Sequence, residues 1–214
     1  MGLAIGVGVL ADLVNDDPSA AKKIEGELAY INQVISEAGL APHQEPRQFA
    51  EQLITRASLT SFPYSWLHYL RRFAAHVMRD PKWVPYPVEP HEDPASDPVL
   101  HQMYRQMVSH LLCHSDSEGY YFPIEFDKIF FDQSHKLRGG ALGSSYRLRD
   151  ELVQLAEALE ISLSADGEIN GETVRWLSEQ RPLGPPFAIE RLVWFALFEA
   201  ARLSIAHNTA IVFH

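Results

Sequence analysis

The residue types best suited to chemistry cluster between positions 110 and 121. His110 and His114 are four residues apart, so a helix that continues through both would place their imidazoles on one face. Asp116 would add a carboxylate from the following turn, which makes these three residues a candidate zinc or iron ligand set. The glutamate of the helical zinc-protease motif is absent, because two leucines follow His110. In the alternative interpretation, His114, Asp116 and Glu118 cap the helix end and organise the turn.

Two further polar segments carry candidate site residues. A glycine-rich loop ends in Ser144 and Ser145, just before a predicted helix. Backbone amides, hydroxyl groups and the helix dipole could hold a phosphate or a carboxylate there, or the segment is an ordinary capped helix start. In a second helix, His68 precedes Arg71 and Arg72 by three and four residues. These side chains share a flank that could reach an anion or an acidic group, or they form a solvated helix face.

A relaxed dinucleotide-binding pattern occupies residues 6–11, with Glu25 and Glu27 downstream. In such a fingerprint, glycines let a pyrophosphate approach a helix N-terminus. Here the glycines fall inside a strand pattern, whereas a fingerprint follows the strand, and no regular strand–helix–strand series comes after it. Glycines that allow close packing are the alternative explanation.

Charge and composition narrow the range of partners. The chain has 28 acidic and 18 basic residues and a formal net charge of -10, which disfavours contact with phosphate backbones. We therefore expect no nucleic-acid partner, and a basic protein or a small anion instead. No apolar run is long enough to span a bilayer, and the N-terminal segment lacks the basic region of a signal peptide. These features predict a cytoplasmic protein without a membrane contact.

The single cysteine, Cys113, rules out an intramolecular disulfide. It lies in an apolar stretch, which favours a buried structural thiol over a nucleophile.

Hydrophobic periodicity predicts a mostly helical chain with a few strands. Strands are predicted at both ends and in an aromatic-rich central segment that is interrupted at Pro123. A segment with six prolines separates two helices and is predicted to be an extended surface loop. The predicted strands are Leu3–Leu10, Tyr120–Phe131 and Ala210–Phe213, the proline segment is Pro81–Pro98, and the principal helices are Pro18–Gly39, Arg47–Ala57, Pro63–Asp80, Val99–Cys113, Ser145–Leu159, Gly171–Gln180 and Phe187–His207.

The last helix is predicted to be the centre of the core. Residues 192–198 are apolar on every side, which is typical of a helix buried in the middle of a domain. We expect the two terminal strands to pair. The sequence thus predicts an α+β fold in which residues 1–214 form one domain, with six or seven helices and a small sheet built from the termini and the central aromatic-rich segment.

Several segments together resemble an uncharacterised family of bacterial proteins. The similarity lies in residues 114–123 (HSDSEGYYFP), 67–72, 143–144 and 210–213. The resemblance implies no activity, cofactor or substrate. It implies that the three polar segments converge on one site.

Two functions follow as hypotheses. The first is a non-enzymatic binding or protein-interaction protein of the immunity or antitoxin kind, since the chain is acidic and carries no catalytic signature. The alternative is a small-molecule or metal-dependent enzyme with a polar cleft around His68, His114, Asp116 and Ser144. The identity of any cofactor stays open.

Overall fold

The two chain ends meet in a six-stranded sheet. The computed structural model describes residues 2–132 and 134–214. In it β1 (Gly2–Val7) lies antiparallel to β6 (Ile211–Phe213), with Ile5 opposite Phe213. The predicted pairing of the terminal strands is confirmed.

The sheet contains two strands that the sequence did not reveal. Besides β1 and β6 it contains β2 (Ser61–Pro63), β3 (Gly119–Phe122), β4 (Phe130–Phe131) and β5 (Ala141–Ser144). The strand order is β2-β1-β6-β3-β5-β4, and all neighbours are antiparallel except β3 and β5. The part of the chain predicted to be a glycine-rich loop forms β5 and pairs with both β3 and β4, so that prediction is wrong.

Eight helices occur in the described residues, which confirms the α+β, predominantly helical class. Compared with the seven predicted helices, the end of the first predicted strand is an added helix, one predicted helix is divided into two, and the helix predicted over 47–57 is absent. The helices are α1 (Val9–Asp16), α2 (Pro18–Glu37), α3 (Tyr64–Arg79), α4 (Pro98–Tyr104), α5 (His110–Cys113), α6 (Ser145–Ala156), α7 (Gly171–Ser178) and α8 (Ala188–His207).

Local signals explain where several helices begin. Asp17 accepts hydrogen bonds from the amides of Ser19 and Ala20 and so caps α2, with a proline in its first turn. The predicted first strand ends early because Gly8 has a φ of 78°, a left-handed conformation that turns the chain from β1 into α1.

The predicted helix over Arg47–Ala57 is absent, and an extended segment takes its place. The Arg56 amide donates to one Glu199 carboxylate oxygen at 2.9 Å, and its Nε donates to the other at 2.9 Å. Because Glu199 is fully buried on α8, this contact holds the segment in a conformation that helical periodicity did not predict.

The predicted helix over Val99–Cys113 is broken into α4 and α5. Met107, between them, has a φ of 53°, which a continuous helix excludes. The Ser109 hydroxyl then caps α5 by accepting from the Leu112 amide at 3.0 Å. Since α5 ends at Cys113, His110 and His114 do not share a helical face.

Helices cover both faces of the sheet. Apolar side chains of α1 and α2 pack on one face, and those of α3, α6 and α8 pack on the other. Trp194, Phe195 and Phe198 of α8 are at most 1% exposed, and the Trp194 indole donates to the Leu152 carbonyl at 2.7 Å. The predicted central position of this helix is confirmed. None of the helices in the described residues has the length and apolar character needed to cross a membrane.

Candidate functional site

Two of the three predicted polar segments come together at Asp116. Nε2 of His68 lies 3.2 Å from one oxygen of this carboxylate, and the Arg71 guanidinium pairs with the other. The helix α3 presents both His68 and Arg71, and the turn after α5 presents the acid. The predicted convergence of the His68 helix with the His114 turn is therefore observed.

The buried side chain of Arg71 stabilises the end of α5 and the turn that follows it through hydrogen bonds. Its side chain is 1% exposed, its Nε donates to the Leu111 carbonyl at 2.9 Å, and its Nη2 donates to the His114 carbonyl at 2.6 Å. With the Asp116 pair, the guanidinium uses its planar arrangement of donors to fix three points of one turn.

The surroundings of Asp116 favour its ionised form, and those of His114 favour its neutral form. Burial acts to raise the pKa of Asp116, but the His68 hydrogen bond and the Arg71 charge outweigh it and lower this pKa to about 2. Burial lowers the pKa of His114 to about 4, so its imidazole is neutral at pH 7. That ring stacks on Tyr121 at 4.1 Å between centroids and lies 3.1 Å from the Tyr120 carbonyl.

A cleft of about 420 Å³ opens beside the Arg71–Asp116 pair. Burial raises the pKa of the Cys113 thiol in its wall, so this sulfur is not an activated nucleophile. The charges of Arg71 and Asp116 are already paired with each other. The geometry therefore favours a structural role for this group. The cleft is lined by His68, Arg71, Tyr104, Met107, Leu112, Cys113, His114, Asp116 and Phe131.

The two serines lie apart from this cleft and are fully buried. The Ser144 hydroxyl donates to the Ile124 carbonyl at 2.6 Å and caps α6. The Ser145 hydroxyl lies 2.7 Å from that of Ser204. The interpretation as a capped helix start therefore describes this segment, and the serines present no hydroxyl to an external anion.

Arg72 and Glu118 also have other partners. Arg72 donates from Nε to Asp97 at 3.2 Å and lies over the Tyr86 ring at 4.5 Å. It thereby ties the proline segment to α3. His76 reaches the same Asp97 oxygen at 3.0 Å. Glu118 pairs with Arg138 at 3.3 Å.

The predicted metal ligands are not assembled. Nδ1 of His110 accepts from the Ser144 amide at 2.9 Å, and its Nε2 lies 3.1 Å from the Asp127 carbonyl. His114 and Asp116 have the separate partners described above. Among residues 2–132 and 134–214, no group of three or more His, Cys, Asp and Glu side chains could hold a metal ion. The expected arrangement fails because α5 ends at Cys113, so His114 is not on the helical face that carries His110.

Sequence reasoning overlooked two anchoring carboxylates. Asp97 precedes Pro98 just as Asp17 precedes Pro18, so the same helix-start signal would have identified it as a cap. Glu199 gave no such signal, because its partner Arg56 is 143 residues away along the chain.

The exposed charge of the molecule is acidic. Eighteen of the 28 acidic residues are exposed, against ten of the 18 basic residues. Arg71, Arg72 and Arg191 are at most 3% exposed and donate hydrogen bonds inside the fold. Carboxylates consequently outnumber cations on the surface that a partner would meet.

The fold and its charge distribution define an acidic α+β protein whose prominent polar groups serve internal contacts. A family model described as "Putative DNA-mimic protein" matches residues 1–213, so the chain belongs to this family. No curated protein and no solved structure matches the chain. The family supports a non-enzymatic, protein-interaction role.

The family match also corrects the partner prediction. The sequence predicted a basic protein or a small anion as partner, whereas a DNA-mimic family points to proteins that bind DNA. A basic protein partner is compatible with this family, and the small anion is not what it implies. The immunity or antitoxin interpretation is not supported by this family. The expected absence of a nucleic-acid partner does not conflict with it. Bacterial origin and cytoplasmic location stay predictions.

Proposed function

We propose that this protein is a DNA mimic that occupies the nucleic-acid-binding surface of a DNA-binding protein and so competes with DNA. The observation that carries the proposal is the excess of exposed carboxylates over exposed cations. Duplex DNA presents a dense row of negative charge, and proteins that bind it carry clustered Lys and Arg side chains. A folded chain with an acidic surface presents charge of the same sign to those side chains.

The burial of three of the arginines supports this function. A guanidinium on the surface would repel the cationic surface of a DNA-binding protein, whereas Arg71, Arg72 and Arg191 act inside the fold. The net charge of -10 also gives a long-range field that accelerates encounter with a cationic partner. Binding of this kind weakens as salt concentration rises.

A capture and displacement experiment tests the proposal. The immobilised protein is exposed to a lysate, and the captured proteins are challenged either with duplex DNA or with an equal charge concentration of polyglutamate. We expect duplex DNA to release the partner at lower concentration than polyglutamate. The purified partner should bind labelled duplex DNA, and this protein should displace that DNA.

Three results would contradict DNA mimicry. They are failure to capture any DNA-binding protein, captured proteins that duplex DNA does not release, and a ternary complex in which partner, DNA and this protein bind together.

A further inference from the structure

An open groove runs between α1 and the extended segment 46–60. It has a polar half of about 490 Å³ and an apolar half of about 410 Å³. Val7, Asp12 and Leu53 line both halves, so the two adjoin each other. Both volumes fall in the range of ligand-binding clefts, roughly 300–1,000 Å³.

The glycines of the dinucleotide-like pattern shape this groove. A Cβ atom on Gly8 would lie 2.8 Å from the Phe49 ring and 3.0 Å from Leu53, so glycine allows segment 46–60 to approach the start of α1. A Cβ atom on Gly6 would lie 2.5 Å from Val9. Close packing is thus the role that the structure supports for these glycines.

The groove does not suit a pyrophosphate. The amides of Ala11 and Asp12 are both directed to the Gly8 carbonyl, and Asp12 puts a carboxylate in the first turn of α1. A negative charge there repels an anion. In addition β1 has only antiparallel neighbours, unlike the first strand of a dinucleotide-binding unit.

Carboxylates instead make the polar half attractive to a cation. Asp12 from α1 and Glu51 from segment 46–60 are exposed and line it. Arg47 is the one basic side chain in that lining, and it pairs with Glu25. The rest of the polar lining is uncharged.

The apolar half lies next to these carboxylates. Its walls are mostly aliphatic, with Thr55, Thr60 and His214 as polar members beside Asp12. Side chains of α8 form its base, including Ala196, which is 4% exposed.

We infer that this groove is where the DNA-recognition segment of the partner docks, an inference that rests on the proposed function. Such segments carry Lys or Arg for phosphates and guanines together with apolar side chains that contact thymine methyl groups. The cation pairs with Asp12 and Glu51, and a neighbouring apolar side chain enters the aliphatic half. The groove thus matches both features of a DNA-reading surface, charge and apolar contact.

The test compares two double variants with equal charge change. Asp12→Asn with Glu51→Gln removes both groove carboxylates, whereas Glu172→Gln with Glu179→Gln, the α7 variant, removes two exposed carboxylates, one in the first turn of α7 and one directly after its end. Asp12 and Glu172 each lie in the first turn of a helix, so these two substitutions lose a similar helix-dipole contribution. With the purified DNA-binding partner, we expect the groove variant to raise Kd about tenfold and the α7 variant about twofold.

Filling the apolar half tests the second contact. Ala200→Leu places a larger side chain at its base, and Thr60→Trp covers it from the exposed rim. If Ala200→Leu does not fold, the affinity of Thr60→Trp for the partner tests the same contact. Both should weaken binding, while thermal unfolding verifies that each variant folds. Equal weakening by the two double variants, or unchanged affinity in the folded filling variants, overturns the groove assignment. If the unsubstituted protein binds no DNA-binding protein, the proposed function itself fails.

Discussion

Replacing Arg71 by methionine should unfold the protein at a much lower urea concentration. Methionine retains the length of the arginine stem and its apolar contacts, but it removes every donor of the guanidinium. The Leu111 and His114 carbonyls then lose donors at 2.9 and 2.6 Å, and Asp116 loses its cation.

The expected loss follows from what remains unpaired. Breaking a buried charge pair by removing one partner typically costs about 3–5 kcal/mol, and each buried acceptor left without a donor costs about 1–3 kcal/mol. Asp116 is 42% exposed and can be rehydrated, which reduces its share. We therefore expect Arg71→Met to lower the free energy of unfolding by about 3 kcal/mol.

Asp116→Asn is the matched comparison. It removes the charge but keeps an acceptor for Arg71, so its cost should be about 1 kcal/mol after solvent screening. Urea unfolding followed by tryptophan fluorescence measures both variants. A loss below about 1 kcal/mol for Arg71→Met, or equal losses for the two, would refute the conclusion that Arg71 holds the turn through its carbonyl contacts.

Three further predictions concern pH and backbone space. The pKa of Asp116 is about 2 in the folded protein against an ordinary 3.8, so its contribution to stability should be complete above about pH 4 and disappear as the pH falls to 2. The urea midpoints of the unsubstituted protein and of Asp116→Asn should therefore converge between pH 4 and pH 2. The pKa of His114 is about 4 in the folded protein against an ordinary 6.5, so the unfolded state takes up the proton first as the pH falls, and the free energy of unfolding should decrease between pH 6.5 and 4. His114→Gln should lack this decrease, and the same pH dependence in both proteins would contradict the argument. A Cβ atom on Gly143 would lie 2.2 Å from the Tyr121 ring, so Gly143→Ala should lower the thermal unfolding midpoint. Gly26 in α2 has open space around it, so Gly26→Ala should raise this midpoint slightly. Similar shifts for both variants would contradict the packing argument.

The polar candidates show the limit of spacing arguments. The spacing of His68 and Arg71 correctly predicted that both lie on one helix. No local pattern showed that their partner would be Asp116, which is 45 residues from Arg71 along the chain. Conversely, the four-residue interval between His110 and His114 predicted a shared helical face, but α5 ends at Cys113 and His114 is extended.

Helix starts and the buried centre were determined by the sequence alone. Asp17 before a proline predicts a cap through contacts within three residues, and the all-apolar run in α8 predicts burial from composition. These properties depend on neighbours along the chain, so a linear pattern contains them.

The tertiary structure alone decided the rest. Segment 47–57 has a helical pattern but is held extended by Glu199, and the glycine-rich segment became β5 because β3 and β4 lie on either side of it. A buried carboxylate and an unpaired strand edge form hydrogen bonds with whichever segment the folded chain brings next to them, and these bonds determine the conformation of that segment. Because that depends on the path of the whole chain, local propensity could not predict it.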